Sequence, residues 1–233
     1  MAELYMLPNL LNEGNWQEVL PVKAAEIIAK TRYYIVENIR TTRRFLKQVD
    51  RSINIDELVF FELNKHTGSE GISEYLKPLE QGHNIAVVSE AGCPGVADPG
   101  AGVVKIAHQK GFKVVPVTGP SSILLSLMAS GLNGQSFAFN GYLPVKHPER
   151  IRAVSALENK AVAGNQTQIF IETPYRNNSL LADLLKTLSP STLLCIAANL
   201  TGANEFIATK PVSQWKNNIP DLHKQPAVFL LGT

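Results

Sequence analysis

The chain has 233 residues, of which 45% are hydrophobic and 18% charged, a balance that excludes disorder and simple fibrous repeats. Twenty-two Lys and Arg against 20 Asp and Glu leave a net charge of +2, so a nucleic-acid site would have to be a local basic patch. The two cysteines cannot build a disulfide framework, and the longest apolar run is about half the roughly 20 residues that cross a bilayer. No signal peptide is recognised, so we expect a cytoplasmic protein.

Five short apolar runs in the first half predict strands. They are 4–7, 33–36, 58–61, 85–89 and 114–117, and several are continuous, as in strands covered on both faces. Between the last two runs we predict a helix whose apolar face carries Val103, Val104, Ile106 and Ala107. This helix ends at Gly111. This order of strand, helix and strand predicts an α/β fold with a mostly parallel sheet.

The second half predicts a mixed α/β arrangement. We expect a buried helix over 121–130 that ends at Gly131. The β-rich runs that follow are 137–140, 168–172, 193–197 and 227–231. One helix between them carries Leu180, Leu181, Leu184, Leu185 and Leu188 on a single face. We therefore predict two domains, 1–118 and 119–233, with the boundary near Thr118 to Ser121 and a ligand cleft between them.

The most informative stretch is Ser89-Glu90-Ala91-Gly92-Cys93-Pro94-Gly95-Val96-Ala97-Asp98-Pro99-Gly100. It follows a buried strand and precedes a helix, so it lies at the carboxyl edge of the sheet, where open α/β folds bind ligands. Its glycines let main-chain groups approach a ligand, its prolines stiffen the loop, and Asp98 can cap the following helix. The alternative is a tight connection without a ligand, because Gly, Pro and Asp are ordinary loop residues.

The common signatures of nucleotide and metal sites are not found in this sequence. No G-x-G-x-x-G follows a strand, and no Walker-type Gly-Lys-Ser or Gly-Lys-Thr occurs. The segment Gly119-Pro120-Ser121-Ser122 is not a nucleophile elbow. The five histidines lack the paired spacing of a metal-binding helix, so we expect no metal.

Three motifs together resemble a known family. The first runs from Val88-Ser89-Glu90-Ala91-Gly92-Cys93-Pro94 to Asp98-Pro99-Gly100, the second is Val115-Pro116-Val117-Thr118-Gly119-Pro120-Ser121-Ser122, and the third is Phe139-Asn140-Gly141-Tyr142-Leu143-Pro144. They are similar to the tetrapyrrole (corrin/porphyrin) methylase superfamily, in particular its branch of small-subunit ribosomal RNA cytidine 2′-O-methyltransferases. The resemblance implies a homodimer of two-domain subunits that binds S-adenosylmethionine and methylates a ribose 2′-hydroxyl of ribosomal RNA.

The resemblance also implies which residues bind the methyl donor. Those matching the positions around its methionine and ribose parts are Pro8, Ser89, Glu90, Ala91, Gly92, Cys93, Asp98, Gly119, Ser121 and Ser122. Those matching the positions around adenine are Tyr142, Leu143, Phe170, Ile171, Ala227 and Val228. Methyl transfer from a sulfonium needs a shaped cleft and no metal, because positioning supplies much of the acceleration.

The chain departs from the family pattern at several loops. The family's Pro-Thr-Pro-Ile-Gly-Asn-Leu is Leu7-Pro8-Asn9-Leu10-Leu11-Asn12 here, its Glu-Asp-Thr-Arg is Glu37-Asn38-Ile39-Arg40, and its Ser-Asp-Ala-Gly has Glu90. Its Arg-Glu-Leu-Thr-Lys is Ala198-Asn199-Leu200-Thr201-Gly202, and its Gly-Glu is Lys224-Gln225. The carboxylates left as candidate catalytic bases are Glu37, Glu172 and Glu205. The alternative for each is a surface charge or a local salt bridge.

A basic run provides the candidate RNA contacts. Arg40, Arg43, Arg44 and Lys47 share one helix face, with Arg51 beyond them, and Arg176 is a further candidate. A solvated helix face is the alternative, and Lys146, His147, Arg150 and Arg152 form a second basic cluster. We predict an S-adenosylmethionine-dependent ribosomal RNA methyltransferase. Two alternatives stay open, a methyltransferase for a tetrapyrrole or other small molecule and a donor-binding module that has lost catalysis.

Overall fold

A computed structural model describes residues 2–63 and 67–233, and the chain divides into two compact units, Met1–Ser121 and Ser122–Thr233. Unit 1 contains the strands β1 (Glu3–Met6), β2 (Tyr33–Val36), β3 (Val59–Glu62), β4 (Ile85–Val88) and β5 (Lys113–Pro116). Its helices are α1 (Val22–Lys30), α2 (Ile39–Val49), α3 (Ser69–Tyr75), α4 (Lys77–Glu80) and α5 (Ala101–Gln109). The sheet order is β3-β2-β4-β1-β5 and every pairing is parallel, as predicted.

Helices cover both faces of this sheet, which explains its continuous apolar strands. Ile85 and Val87 of β4 pack into a core shared with α3 and α5. Ala86 and Val88 point the other way, into a core shared with α1 and α2. All four residues are buried, as expected for a strand with helices on each side.

The strand order creates a topological switch between β1 and β4. The connection from β1 passes over β4 to reach β2, whereas the connection from β4 passes over β1 to reach β5. Two crossovers that leave adjacent strands in opposite directions open a crevice at their carboxyl ends, where ligands bind in open α/β folds. The loops that follow Met6 and Val88 therefore frame the candidate site of unit 1.

Unit 2 contains a mixed sheet, as predicted. Its elements are α6 (Ser122–Ser130), β6 (Phe137–Tyr142), α7 (His147–Gly164), β7 (Thr167–Ile171), α8 (Asn177–Thr187), β8 (Leu193–Ala198), β9 (Phe206–Pro211), α9 (Val212–Trp215) and β10 (Ala227–Gly232). The order is β6-β7-β10-β8-β9, with β6 parallel to β7 and the other neighbours antiparallel. The ends of β6, β7 and β8 therefore share one edge with the starts of β9 and β10.

Two features of unit 2 differ from the sequence prediction. Helix α6 is buried on one side only, because Ile123 and Leu127 join the core while Leu124 and Met128 are exposed. The sequence analysis also missed α7 and β9. Among the residues that the structure describes, no helix combines the length and apolar character needed to cross a membrane.

Candidate functional site

Asn9 holds the loop after β1 against the loop after β4. Its backbone forms an antiparallel bridge with Gly92, through Asn9 N–H to Gly92 O at 2.9 Å and Gly92 N–H to Asn9 O at 3.2 Å. Its buried amide donates to the carbonyls of Ser89 at 3.0 Å and Glu90 at 3.1 Å. The resemblance singled out Pro8 and not Asn9. The sequence feature that could have identified Asn9 is an asparagine close after a strand, because asparagine side chains commonly hydrogen-bond to loop backbone.

Two glycines allow main-chain segments to lie close together beside this bridge. Gly92 has a φ of +66°, and a Cβ there would lie 3.0 Å from Leu11 Cδ2 and 3.4 Å from Pro120 O. A Cβ on Gly119 would lie 2.4 Å from Pro8 Cβ, so no larger residue fits. The structure thus brings together Pro8, Gly92 and Gly119, three of the residues predicted to bind the donor.

The remaining members of the loop differ in exposure. Ser89 is buried and its hydroxyl donates to Ala91 O at 3.2 Å, whereas Ala91 is exposed. Cys93 is half-buried, and its Sγ donates to Pro120 O at 3.4 Å. Burial raises the pKa of the Cys93 thiol, so this sulfur is held in its neutral form. Ser121 ends unit 1, and Ser122 begins α6 in unit 2.

Three carboxylates lie on or beside this loop and make the carboxyl edge of the sheet negative. Glu37, at the end of β2, accepts a hydrogen bond from Glu90 N–H at 2.9 Å, and the Glu90 carboxylate accepts one from the Thr41 hydroxyl. Burial and the charges of Glu37 and Glu90 raise the pKa of Asp98 to about 6, against the opposing hydrogen bond from Ser89. Negative charge is therefore concentrated at this loop, and none of the contacts just described involves a cationic side chain.

Asp98 does not cap the following helix, contrary to the prediction. Helix α5 has Gly100 at its N-cap, with a φ of +140°, and no side chain accepts from its first N–H groups. A Cβ on Gly100 would lie 3.0 Å from Gly95 N, so only glycine fits at this N-cap. The carboxyl of Asp98 faces Ser89 instead.

The three carboxylates of the negative edge do not form a metal-binding cluster. Within 2–63 and 67–233, no three His, Cys, Asp or Glu side chains converge as metal ligands would. The Glu37 and Glu90 carboxylates already accept hydrogen bonds, and the half-buried Asp98 adds a third charge. Such an arrangement attracts a positively charged ligand at longer range without coordinating it directly.

In unit 2, most residues predicted to surround adenine have buried side chains. Leu143, Phe170 and Ala227 belong to one core cluster, and Ile171 and Val228 belong to the cluster on the opposite face of the sheet. Leu143, Phe170, Ala227 and Val228 are buried and can therefore reach a ligand mainly through their backbone. Ile171 is partly buried, and Tyr142 has 58% of its surface exposed.

A β-bulge shapes the end of β6 just before Tyr142. The register with β7 shifts between Phe139 and Tyr142, where Gly141 has a φ of +65°. The Asn140 amide donates across the bulge to Gln168 Oε1 at 3.2 Å and to Ile169 O at 3.3 Å. Bulges of this kind redirect side chains and are common next to active sites.

The catalytic candidates of unit 2 are already engaged. Glu172 Oε1 accepts from Thr173 N–H at 2.6 Å and from Arg176 Nη2 at 2.7 Å, and the Glu172 side chain is 1% exposed. Although burial raises its pKa, the hydrogen bonds and charge of Arg176 lower the pKa of Glu172 overall, so this carboxylate is a weak base. Glu205 is exposed and accepts from Thr201 N–H at 2.7 Å.

Two of the departures from the family pattern contact each other. The Asn199 amide donates to Gln225 Oε1 at 2.7 Å, so two neutral amides pair where the family has two carboxylates. Asn38 is likewise structural, because its Oδ1 accepts from Arg40 N–H at 2.9 Å and Thr41 N–H at 3.3 Å as the N-cap of α2. An aspartate would cap the helix in the same way.

The basic face of α2 is exposed, as its spacing predicted. Arg40, Arg43, Arg44 and Lys47 are all exposed, and neither they nor Arg51 form an ion pair with a carboxylate among the described residues. The guanidinium of Arg43 lies 5.3 Å from the centroid of the Phe60 ring, and Lys47 donates to Arg51 O at 2.9 Å.

The second basic cluster is exposed except at Arg150. Arg150 is buried and pairs with the buried Asp183, with 2.7 Å between Arg150 Nε and Asp183 Oδ2. His147 Nε2 lies 3.2 Å from the other oxygen of Asp183. Arg150 therefore links α7 to α8, whereas Lys146, His147 and Arg152 lie on the surface.

Comparison with known proteins identifies the family. The family model for tetrapyrrole (corrin/porphyrin) methylases matches residues 17–215. A ribosomal RNA small subunit methyltransferase I from Escherichia coli O157:H7 is 31% identical over 213 residues, covering 91% of this chain and 70% of the relative. The protein of the same name from Vibrio cholerae serotype O1 is 33% identical over 211 residues, covering 91% of this chain and 69% of the relative.

A solved structure supports the same fold. The methyltransferase CobJ superposes with a TM-score of 0.64 at 16% sequence identity, covering all of this chain and 93% of that one. The family match spans both units and includes the loop from Ser89 to Gly100. The chain therefore belongs to the tetrapyrrole (corrin/porphyrin) methylase family.

Proposed function

We propose that this protein is an S-adenosylmethionine-dependent methyltransferase that modifies a ribose hydroxyl of small-subunit ribosomal RNA. The observation that carries the proposal is the glycine-rich loop bridged by Asn9 and Gly92 at the switch point of the unit 1 sheet. Family membership supports methyl transfer as the chemistry. The two relatives described above bear the name of a ribosomal RNA methyltransferase, which supports RNA as the acceptor.

The residues of unit 1 fit a sulfonium donor. Negative charge from Glu37, Glu90 and Asp98 complements its positive charge, and Gly92 leaves space that a Cβ would fill. When bound, the donor supplies an electrophilic methyl group. We assign its binding in this unit to Ser89–Cys93 together with Asp98 and Gly119, and the residues from Tyr142 to Val228 named for adenine stay a prediction.

The chemical task of the chain is to orient the reactants and exclude water. Holding two reactants in line contributes on the order of 7 to 11 kcal/mol to catalysis, without a reactive nucleophile on the protein. The Asn9 bridge and the prolines at 94 and 99 make the loop rigid enough for this purpose. Glu172 is buried, pairs with Arg176 and has a lowered pKa, so we do not assign it the role of base.

The exposed face of α2 supports a polyanionic acceptor rather than an apolar one. Arg40, Arg44 and Lys47 are exposed, and none of them forms an ion pair with a carboxylate in the described chain. Contacts of this kind orient an RNA by its phosphates and leave base recognition to other residues. We also propose that the protein is cytoplasmic and that it forms a homodimer. Light scattering during gel filtration would test the homodimer.

Transfer of a labelled methyl group tests the function directly. Small ribosomal subunits that lack the modification should accept label in their RNA, and nuclease digestion should place it on a ribose. Fully methylated subunits are the matched control and should accept none. Donor binding without transfer to the undermethylated subunits would contradict the proposed acceptor, and absence of donor binding would contradict the activity itself.

A further inference from the structure

The edge of unit 2 carries an exposed cluster of aromatic and basic side chains, which we call the tyrosine patch. It consists of Tyr175, Arg176, His223 and Lys224. Tyr175 is 71% exposed, Lys224 Nζ lies 6.0 Å from the centroid of its ring, and the His223 ring lies edge-on at 6.2 Å. A large aromatic surface flanked by cations remains open to solvent.

Local hydrogen bonds fix the loop that carries His223 and Lys224. Lys224 N–H donates to Pro174 O at 3.1 Å, which places the loop beside Tyr175. Asn178 donates to Asp221 Oδ1 at 2.7 Å and accepts from Leu222 N–H at 2.8 Å. The Asp221 carboxylate accepts hydrogen bonds from the Asn178 amide and from His223 N–H. The patch is therefore preorganised.

Lys224 adopts a backbone conformation that does not suit a lysine. Its φ is +60°, in the left-handed region that glycine adopts freely and residues with a Cβ avoid. The side chain is exposed and lies over Tyr175, so core packing does not account for the choice of residue. A cation at this position instead adds positive charge beside the exposed ring.

The hydrogen bonding of the adjacent ion pair is incomplete within the protein. Arg176 Nη2 binds Glu172, and 41% of the Arg176 side chain is exposed. Glu172 Oε2 and Arg176 Nε are buried atoms without a hydrogen-bond partner in the described chain. Buried polar atoms normally have partners, so these two are unusual, and only the exposed part of the Arg176 side chain is open to a ligand.

We propose that the tyrosine patch binds single-stranded RNA, with one base stacked on Tyr175 and the flanking phosphates near Lys224 and Arg176. The inference rests on the proposed function, in which RNA is the acceptor. Proteins that bind single-stranded RNA combine aromatic rings for stacking with a basic track for the backbone, and the patch contains both. Duplex RNA keeps its bases stacked, so it should bind less well.

Fluorescence anisotropy with a labelled single-stranded oligoribonucleotide at low salt tests stacking. Tyr175→Ala should raise the Kd about tenfold, because it removes the stacking surface. Tyr175→Phe is the matched control, since it keeps the ring, and should stay within about twofold of the original chain. No binding by the original chain, or an unchanged Kd for Tyr175→Ala, would overturn the proposal.

Lys224→Gly tests the charge without risk to the fold. Glycine suits the +60° backbone, so the variant should unfold at the same or a higher temperature. The dependence of log K on log salt should become shallower by about 0.7 for each phosphate that the variant no longer binds. An unchanged slope together with an unchanged Kd would mean that Lys224 does not contact RNA and would overturn its role.

Methyl transfer separates this inference from the proposed function. If the original chain methylates small subunits, Tyr175→Ala should raise KM with little change in kcat, and an unaltered KM would overturn the patch while the function stands. If the original chain transfers no methyl to any subunit, the proposed function fails. The oligonucleotide measurements would then still decide whether the patch binds RNA.

Discussion

Asn9 and Gly92 pair their backbones just beyond the ends of two adjacent parallel strands, β1 and β4, whose connections to the next strands leave in opposite directions. Two backbone hydrogen bonds and two from the Asn9 amide act on one short stretch of the loop. The loop conformation therefore depends on a residue 80 or more positions earlier in the chain. Substitutions at either residue should disturb the proposed donor site more than the rest of unit 1.

Asn9→Ala should lower both stability and donor affinity. It leaves the buried carbonyl of Ser89 and the partly buried carbonyl of Glu90 without their shared donor, which costs about 1–3 kcal/mol of unfolding free energy. Urea unfolding and calorimetry with S-adenosylhomocysteine measure the two effects. Asn12→Ala is the control, because the exposed Asn12 side chain accepts from Glu13 N–H and should be near neutral. Equal donor affinities for the two variants would contradict the role of Asn9.

Gly92→Ala should weaken donor binding more than its effect on stability explains. A side chain at φ +66° is strained by about 1 kcal/mol, and its Cβ would also press on Leu11 and approach Pro120 O. Gly111→Ala is matched for strain, with φ +75° and open space around the Cβ. Calorimetry should show donor affinity reduced for the first and retained for the second. Normal affinity in Gly92→Ala would remove Gly92 from the site.

Asp98 should make stability depend on pH between about 4 and 6. Burial, with the charges of Glu37 and Glu90, raises its pKa from 3.8 to about 6, so the folded state binds this proton more tightly than the unfolded state. The free energy of unfolding therefore falls as pH rises through that window and levels off above it. Asp98→Asn should be more stable than the original chain at pH 7 by about 1 kcal/mol, since partial exposure screens the effect.

The same carboxyl should report donor binding. A cation near Asp98 lowers its pKa, so binding of S-adenosylmethionine at pH 6 should release protons. Calorimetry in two buffers of different ionisation enthalpy measures that release, which should vanish at pH 8 and in Asp98→Asn. The same proton release in Asp98→Asn as in the original chain would show that another group titrates.

Removing one member of the buried ion pair between Arg150 and Asp183 should destabilise the protein strongly. Replacing both members with apolar residues should destabilise it much less. Asp183→Ala leaves a buried guanidinium without its partner and should cost about 3–5 kcal/mol in urea unfolding. The double variant Arg150→Met with Asp183→Leu should recover most of that loss. Lys23→Gln, which breaks an exposed pair with Glu26, is the control and should change stability by less than about 1 kcal/mol. A double variant as unstable as Asp183→Ala would refute this account.

The α2 face should contribute to RNA affinity through charge alone. Arg40→Gln with Arg44→Gln should weaken binding to small ribosomal subunits uniformly and reduce the salt slope by roughly 0.7–0.9 for each phosphate that is no longer neutralised. Arg43 is left in place because it stacks on Phe60. Lys23→Gln with Lys30→Gln, two exposed cations of α1, is the matched control. Identical salt slopes for both double variants would favour a merely solvated α2 face.

The sequence predicted the sheet of unit 1 better than the elements of unit 2. Buried parallel strands such as Ile85–Val88 leave a continuous apolar run that is recognisable locally. Helix α7 was missed because its buried stripe includes Arg150, whose charge is neutralised by Asp183, a residue far along the chain. Strand β9 has partly exposed residues throughout and pairs only on one side, so its pattern is weak.

For the candidate site, glycine positions were predictable and side-chain roles were not. Gly92 and Gly119 stand where close approach requires them, which their motif indicated. The helix cap expected of Asp98 and the bridge made by Asn9 depend on how the loops after β1 and β4 meet. Such contacts between distant segments leave no local pattern in a single sequence.

The position of β1 in the middle of its sheet constrains how the nascent chain folds. Its two neighbours are residues 85–88 and 113–116, so β1 is synthesised before both of its partners. At 5–20 residues per second, a ribosome needs roughly 4–16 s to synthesise the first of them. During that interval the apolar segment from Leu4 to Leu7 has both edges open, which makes it a natural target for chaperones and the point where early aggregation would begin.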